Sequence, residues 1–312
     1  MIIRRLAFAG PLVALLLACT FFAVQSPRFL TGANLSLVLS QVMVVGVLAI
    51  GQTLVILTGG IDLACGMVMA LGSIVISMLA VQHGWHPAMA IAGGMGVTTM
   101  VGMINGLLIT RIKLPPFIVT LGTMNIAFAI TQLVSQAQTF TDLPPLLTWL
   151  GNGVRLGTTP IAYGALAMLL MYALAFVMLR ETAAGRHVYA VGNNLEAARL
   201  AGINTNRVLL SVYALSGLCA GAAALLSIAR TGVGDPQSGQ TENLDAVTAV
   251  VLGGTSLFGG RGIVLGSIVG ALIVGVFRNG LTLMGVSSVY QILVTGVLVI
   301  LAVATDQWSR RS

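Results

Sequence analysis

Runs of about twenty apolar residues, bounded by short clusters of polar residues, glycine or proline, recur along almost the whole chain. Coiled as an α-helix, such a run matches the hydrocarbon thickness of a bilayer, and a helix satisfies its own backbone hydrogen bonds there. The rest of the composition leaves no other solvent for it. Of 312 residues, 57% are hydrophobic and only 7% charged, against about a quarter charged in soluble domains. The chain is expected to fold as an all-α, polytopic membrane protein forming a single transmembrane domain over 1–312.

Ten spans are read, over 6–24, 37–57, 63–81, 88–110, 115–134, 160–179, 208–229, 244–258, 263–282 and 288–304. The eighth is short and glycine-ended, the pattern of a half-helix. The start, MIIRR followed by LAFAGPLVALLLACT, resembles a secretory signal, and LLAC resembles a lipoprotein cleavage box. It is read instead as an uncleaved first span entering from a basic cytoplasmic end. On that orientation 11 basic residues fall on inside segments and 3 on outside ones, with Arg278 inside a span. The positive-inside rule then places both termini in the cytoplasm. The net charge of +7 is a topology signal, and no basic patch suggests nucleic acid.

Two glycine-rich stretches echo each other at a constant offset of 194, GGIDLACGMVMALGS at 59–73 and GGTSLFGGRGIVLGS at 253–267. NGL recurs at 105–107 and 279–281. The pattern predicts duplicated halves, about 37–134 and 208–304, as in many transporters. In LTGGIDLACG (57–66) a Gly-Gly pair invites a helix break. The carboxylate of Asp62 is expected two residues into the next helix, near its positive end. This is a cytoplasmic turn with Asp62 as an N-cap-like residue, or the break lines a polar pathway, and both hold if the turn dips into the membrane.

The loop over about 180–207 lies inside and holds 4 of the 11 inside basic residues. Within it Asn193 and Asn194 can cap a short helix, LEAARLA, that Gly202 stops. Glu196 near its positive end and Arg199 share a face. A helix this short must dock to be stable. Such an element is what a membrane protein needs to receive force from a soluble motor. The outer loop, about 135–158, is polar and turn-rich. With the stretch 230–249 it puts Asp142, Asp235, Glu242 and Asp245 outside, where an external protein could dock by charge complementarity or the acids could simply be solvated.

No GxxxxGK[ST] phosphate loop occurs, and His83, His86 and His187 are scattered, so neither ATP nor a metal site is expected in this chain. Apart from Asp62 and Arg278 the span interiors lack ionisable residues, which weighs against a proton-coupled carrier. A channel or secondary carrier for a small polar solute, a membrane-embedded enzyme and a non-transporting scaffold are the competing readings.

Five collinear segments carry a resemblance to a known family: TLVILTGGIDLACGMVMALGS (53–73), KLPPFIVTLGT (113–123), GRHVYAVGNNLEAARLAGINTNRV (185–208), ENLDAVTAVVLGGTSLFGGRGIVLGSIVGALIVG (242–275) and NGLTLMGVSSVYQILVTGVLVILAV (279–303). Over almost its whole length the chain resembles permease subunits of bacterial ABC sugar importers, the ribose/xylose/arabinose/autoinducer-2 group, ribose permeases most of all. Two departures stand out. The usual GIDLSVGS is GIDLACGM here, and Asn243 separates Glu242 from Leu244 where the family pattern has GxELDA.

The resemblance implies a multi-pass protein of the bacterial inner membrane, with the ten-span fold related to cobalamin-importer permeases. It implies a cytoplasmic ATPase partner that binds the ATP and magnesium, a periplasmic sugar-binding protein, and a second permease copy, identical or a sibling, embedded in lipid. The ATPase would dock on the loop holding Asn193, Asn194, Glu196, Ala197, Ala198, Arg199, Leu200 and Gly202. Thr58, Asp62, Ser73 and Asn105, with Thr255, Ser256 and Asn279, are polar or adjoin the glycine breaks and are the candidate lining groups for a neutral polyol. Replacing Glu196 or Gly202 is expected to uncouple ATP hydrolysis from uptake while the protein still reaches the membrane. Vesicle uptake measured beside ATPase turnover checks this, and normal uptake by both variants would contradict it.

Overall fold

The computed structural model describes residues 2–156 and 159–311. Two residues of the outer loop, Gly157 and Thr158, lie outside the described residues. The helices in chain order are α1 (Ile2–Gln25), α2 (Gly32–Leu57), α3 (Cys65–Val81), α4 (Pro87–Leu107), α5 (Pro116–Ser135), the single turn α6 (Pro145–Thr148) and α7 (Tyr163–Glu181). There follow α8 (Ala183–Asn193), α9 (Leu195–Leu200), α10 (Thr205–Thr231), α11 (Glu242–Leu252), α12 (Val264–Leu283) and α13 (Ser288–Arg311). Strands β1 (Gly153–Leu156) and β2 (Thr159–Ala162) pair antiparallel ahead of α7. The first residues read as the sixth span therefore belong to a strand.

Local chemistry sets many of these ends. The Thr31 side chain accepts from the Asn34 amide to cap α2. Proline opens α4 and α5, where its missing amide costs nothing. A π-helical turn, Leu108–Ile112, continues α4 until Lys113 turns left-handed ahead of Leu-Pro-Pro.

Among the described residues six helices are long and apolar enough to cross a membrane: α2, α4 with its π turn, α5, α7, α10 and α12. Shorter apolar stretches lie in α1 (Gly10–Gln25), α3 (Cys65–Val81) and α13 (Ser288–Leu301), and α11 has 11 residues. Length and composition thus support an all-α polytopic membrane protein with six such spans, not the ten read from the sequence. Part of the shortfall has a physical cause. Irregular segments, 58–64 and 232–241, precede α3 and α11 and pack among the helices, so those helices begin late.

The long helices α2 and α10 form the centre of the bundle. Residues 42–57 of α2 are mostly buried. Against α4, α10 packs backbone to backbone: a Cβ on Gly217 would overlap the Thr98 carbonyl, and one on Gly102 the Tyr213 carbonyl. Small residues at such crossings let helices approach closely where no hydrophobic force drives them together. Buried polar pairs join α2 to α12. Thr53 and Ser267 hydroxyls lie 2.7 Å apart, and the Asn34 and Asn279 amides exchange two hydrogen bonds of 2.9 Å.

Candidate functional site

After Leu57 the chain leaves the helix and turns back into the bundle. The Gly60 amide donates to the Val55 carbonyl (3.1 Å), and Gly59 takes a φ of 78° that side chains disfavour. Asp62 follows, 5% exposed. Its Oδ1 accepts from the Ala64 amide (3.0 Å) and its Oδ2 from the Ser216 hydroxyl (2.8 Å). Ser216 lies about 16 Å from one end of α10 and about 22 Å from the other, at the helical rise per residue. The carboxylate therefore sits beside the middle of a helix long enough to cross the membrane. The turn is buried against α10, and its carboxylate accepts from the Ala64 amide in the manner of a cap. Asp62 does not stand inside the new helix as expected, since α3 begins at Cys65.

Other elements hold the same loop. The Thr120 hydroxyl of α5 donates to the Ile61 carbonyl (3.2 Å), and the Asn243 amide of α11 donates to the Leu63 carbonyl (3.2 Å). Asn243, a departure from the family pattern, thus carries one of the contacts that hold this loop. Across the end of α2, the Gly260 amide donates to the Leu57 carbonyl (3.0 Å), joining 58–64 to the second glycine-rich loop, 253–263.

The segment 232–241 is also packed rather than solvated. Gly234 lies against Ser73 and Ser77, and Gly239 against Gly66, so the strip runs down α3 for about 16 Å by helical rise. At its foot α11 starts, and Asp245 in the first turn is 2% exposed. Arg278 Nη1 of α12 lies 3.0 Å from Asp245 Oδ2, while Nη2 donates to the Thr241 hydroxyl (3.2 Å). Asp245 is thus a buried ion-pair partner of Arg278. It belongs to the helix interior, not to an exposed docking surface. Glu242 is half-buried and accepts from the Thr241 amide, Asp235 accepts from the Gln237 amide, and Asp142 is exposed.

The remaining expected residues do not form one cluster. Thr58 lies at the first break, its hydroxyl donating to the Val55 carbonyl. The Thr255 amide donates to the Val250 carbonyl and the Ser256 amide to the Arg261 carbonyl, holding the second glycine-rich loop. Asn279 pairs with Asn34 at the opposite end of α2, about 35 Å away by helical rise. The Ser73 hydroxyl donates to the Ala70 carbonyl, and Asn105 Oδ1 accepts from the Thr123 hydroxyl (2.6 Å).

Sequence reasoning passed over Ser216, Tyr213 and Gln52. Gln52 and Tyr213 are fully buried, and their side-chain amide and hydroxyl have no hydrogen-bond partner among the described residues; the same holds for the Thr255 hydroxyl. Gln52, a polar residue within an apolar run, was visible in the sequence. Tyr213 and Ser216 were not, because α10 carries many small polar residues with no distinguishing pattern. Among the described residues no group of three or more His, Cys, Asp or Glu is placed to hold a metal.

In the inner loop Asn194 caps α9, its side chain accepting from the Ala197 amide (2.9 Å). The helix runs over Leu195–Leu200, and Gly202 ends it with a φ of 84°. Glu196, Ala197 and Arg199 are exposed, Ala198 is buried, and Leu200 is 88% exposed. Asn193 instead closes a second helix, α8, which the sequence reading missed. Its signals were the Thr182 cap and the spacing of Gly185, Val188 and Val191, all buried.

Residues 34–303 match a family described as branched-chain amino acid transport system / permease component. The fructose import permease protein of Rhizobium meliloti is 44% identical over 97% of this chain and 86% of its own length. The ribose import permease protein of Bacillus subtilis is 40% identical over 96% of this chain and 92% of its own. That of Escherichia coli K12 is 38% identical over 95% and 92%.

Removing the hydroxyl at Ser216 leaves the buried carboxylate one donor short. Ser216→Ala is expected to cost about 1.5–3 kcal/mol. A lower Tm of the detergent-purified protein checks this, and an unchanged Tm would show that the bond carries no stability.

Proposed function

The chain belongs to this permease-component family, and on that premise we propose that it is the membrane-spanning subunit of an ATP-driven importer that carries a monosaccharide across the bacterial inner membrane. The observation that carries the reading is the likeness to the fructose and ribose import permeases at 38–44% identity over 95–97% of the chain. An ATPase in a separate subunit would bind ATP and magnesium, dock on the 185–208 loop and drive the cycle. A periplasmic sugar-binding protein would deliver cargo, and a second permease copy would complete the pathway within the lipid. Asp142 is the acid best placed by exposure for the binding protein, with Asp235 and Glu242 half-buried.

The finer architecture is part of the proposal. The helices α1, α3 and α13 and the half-helix α11 would bring the count to ten, with both termini cytoplasmic, repeats over about 37–134 and 208–304, and kinship to cobalamin-importer permeases. The capped helix α9, with Glu196, Arg199 and the protruding Leu200, supports the docking assignment. Of the candidate pathway residues, Thr58, Asp62, Thr255 and Ser256 share the two joined loops, and Gln52 and Tyr213 offer uncommitted polar groups. Neutral sugar hydroxyls match such groups better than they match charge pairs.

The test is uptake of radiolabelled fructose and ribose into vesicles holding the permease with its ATPase and binding protein. The reading predicts ATP-dependent accumulation of at least one sugar that survives an uncoupler. Uptake abolished by the uncoupler and indifferent to loss of the ATPase would instead identify a secondary carrier.

A further inference from the structure

The two short helices of the inner loop face opposite ways. α9 presents Leu195, Glu196, Arg199 and Leu200 outward, whereas α8 buries Val188 and Val191. The last turn of α8 is wedged between the end of α2 and the 253–263 loop. A Cβ on Gly192 would overlap the Leu57 carbonyl oxygen and come within 2.7 Å of the Gly260 amide nitrogen. It would thus intrude on the hydrogen bond that joins the end of α2 to the second glycine-rich loop. One on Gly259 would meet the Gly192 carbonyl and the Gly59 amide, both at 2.8 Å. One turn earlier the Tyr189 hydroxyl donates to the Gly262 carbonyl (3.0 Å). Three backbone segments from distant parts of the chain therefore meet with no side chains between them.

Such a contact has little slack. Close-packed backbone cannot compress, and Gly192 cannot shift toward Leu57 without pushing both loops. The first loop is held elsewhere by Asp62 on α10, Thr120 on α5 and Asn243 on α11. We propose that Tyr189 and Gly192 are the positioning residues through which movement of the inner loop reaches the transport path. On this view α9 docks, and α8 moves as one body with 253–263 and the end of α2. The proposal deepens the importer reading and rests on it.

The test uses the complete complex of permease, ATPase and binding protein in vesicles, with radiolabelled ribose and fructose as cargo. Gly192→Ala is expected to lower uptake per ATP hydrolysed by about tenfold through overpacking. Tyr189→Phe, which removes one hydrogen bond and keeps the ring, is expected to lower it about fivefold. Assembly and ATP turnover should persist in both. Independently of any cargo, spin labels at His187 and Phe258 should keep one separation with and without ATP in the wild type, and a broadened one in Gly192→Ala. A wild-type separation that changes with ATP, or wild-type uptake per ATP in Tyr189→Phe, overturns the proposal. Should Gly192→Ala fail to assemble, those two measurements decide. Failure of the importer reading has a different signature, wild-type vesicles that take up neither sugar.

Discussion

A chain that leaves its helix inside a bilayer must find a protein partner for each amide and carbonyl it exposes, since no lipid can serve. The break after α2 meets this demand by borrowing from several other elements. The Leu57 carbonyl is served by the 253–263 loop, Ile61 by α5, Leu63 by α11, and the Asp62 carboxylate by α10. The loop can exist only where those elements converge. It therefore fixes how α2, α5, α10, α11 and the second loop stand relative to one another. Asp62 makes no described ion pair, and its two oxygens are spent on an amide and a hydroxyl. It shapes the break and ties it to the middle of α10.

The second irregular segment obeys the same rule with different chemistry. From Gly234 to Gly239 the chain descends along α3 by glycine contact, and α11 then starts within the bundle. Its first turn carries Asp245, whose charge is met by Arg278 of α12. A buried pair of this kind adds little stability over an apolar pair, but losing one partner is costly. It pins a short helix that has few turns of its own with which to hold position.

Much of this was legible in advance. Apolar runs gave the helices, Asn194 and Gly202 marked α9 to within a residue, and the glycine pairs marked both loops. Burial was not legible. Nothing in LTGGIDLACG distinguishes an open turn from one packed into the bundle, because the packing partner is Ser216, more than a hundred residues away. Among the described residues, six of the ten runs read are helices long and apolar enough to cross, since hydropathy alone cannot tell a crossing helix from a short one flanked by packed coil. Asp245 was misplaced because its partner is brought by the fold. Helix α8 went unread because its buried positions are few and small.

The two stretches that echo each other in sequence also touch, through Gly59 and Gly259. One carries a carboxylate tied to α10 and the other a serine at the matching position, so the glycines recur while the charge does not. The central claim is that the first break reaches mid-membrane and is held on α10. Disulfide formation between Asp62→Cys and Ser216→Cys in native membranes, with Cys19, Cys65 and Cys219 replaced by serine, tests it most directly. The account predicts that the cross-link forms and that Asp62→Cys alone resists a membrane-impermeant maleimide. No cross-link, with ready labelling from the cytoplasmic side, would make the break a surface turn and contradict the account.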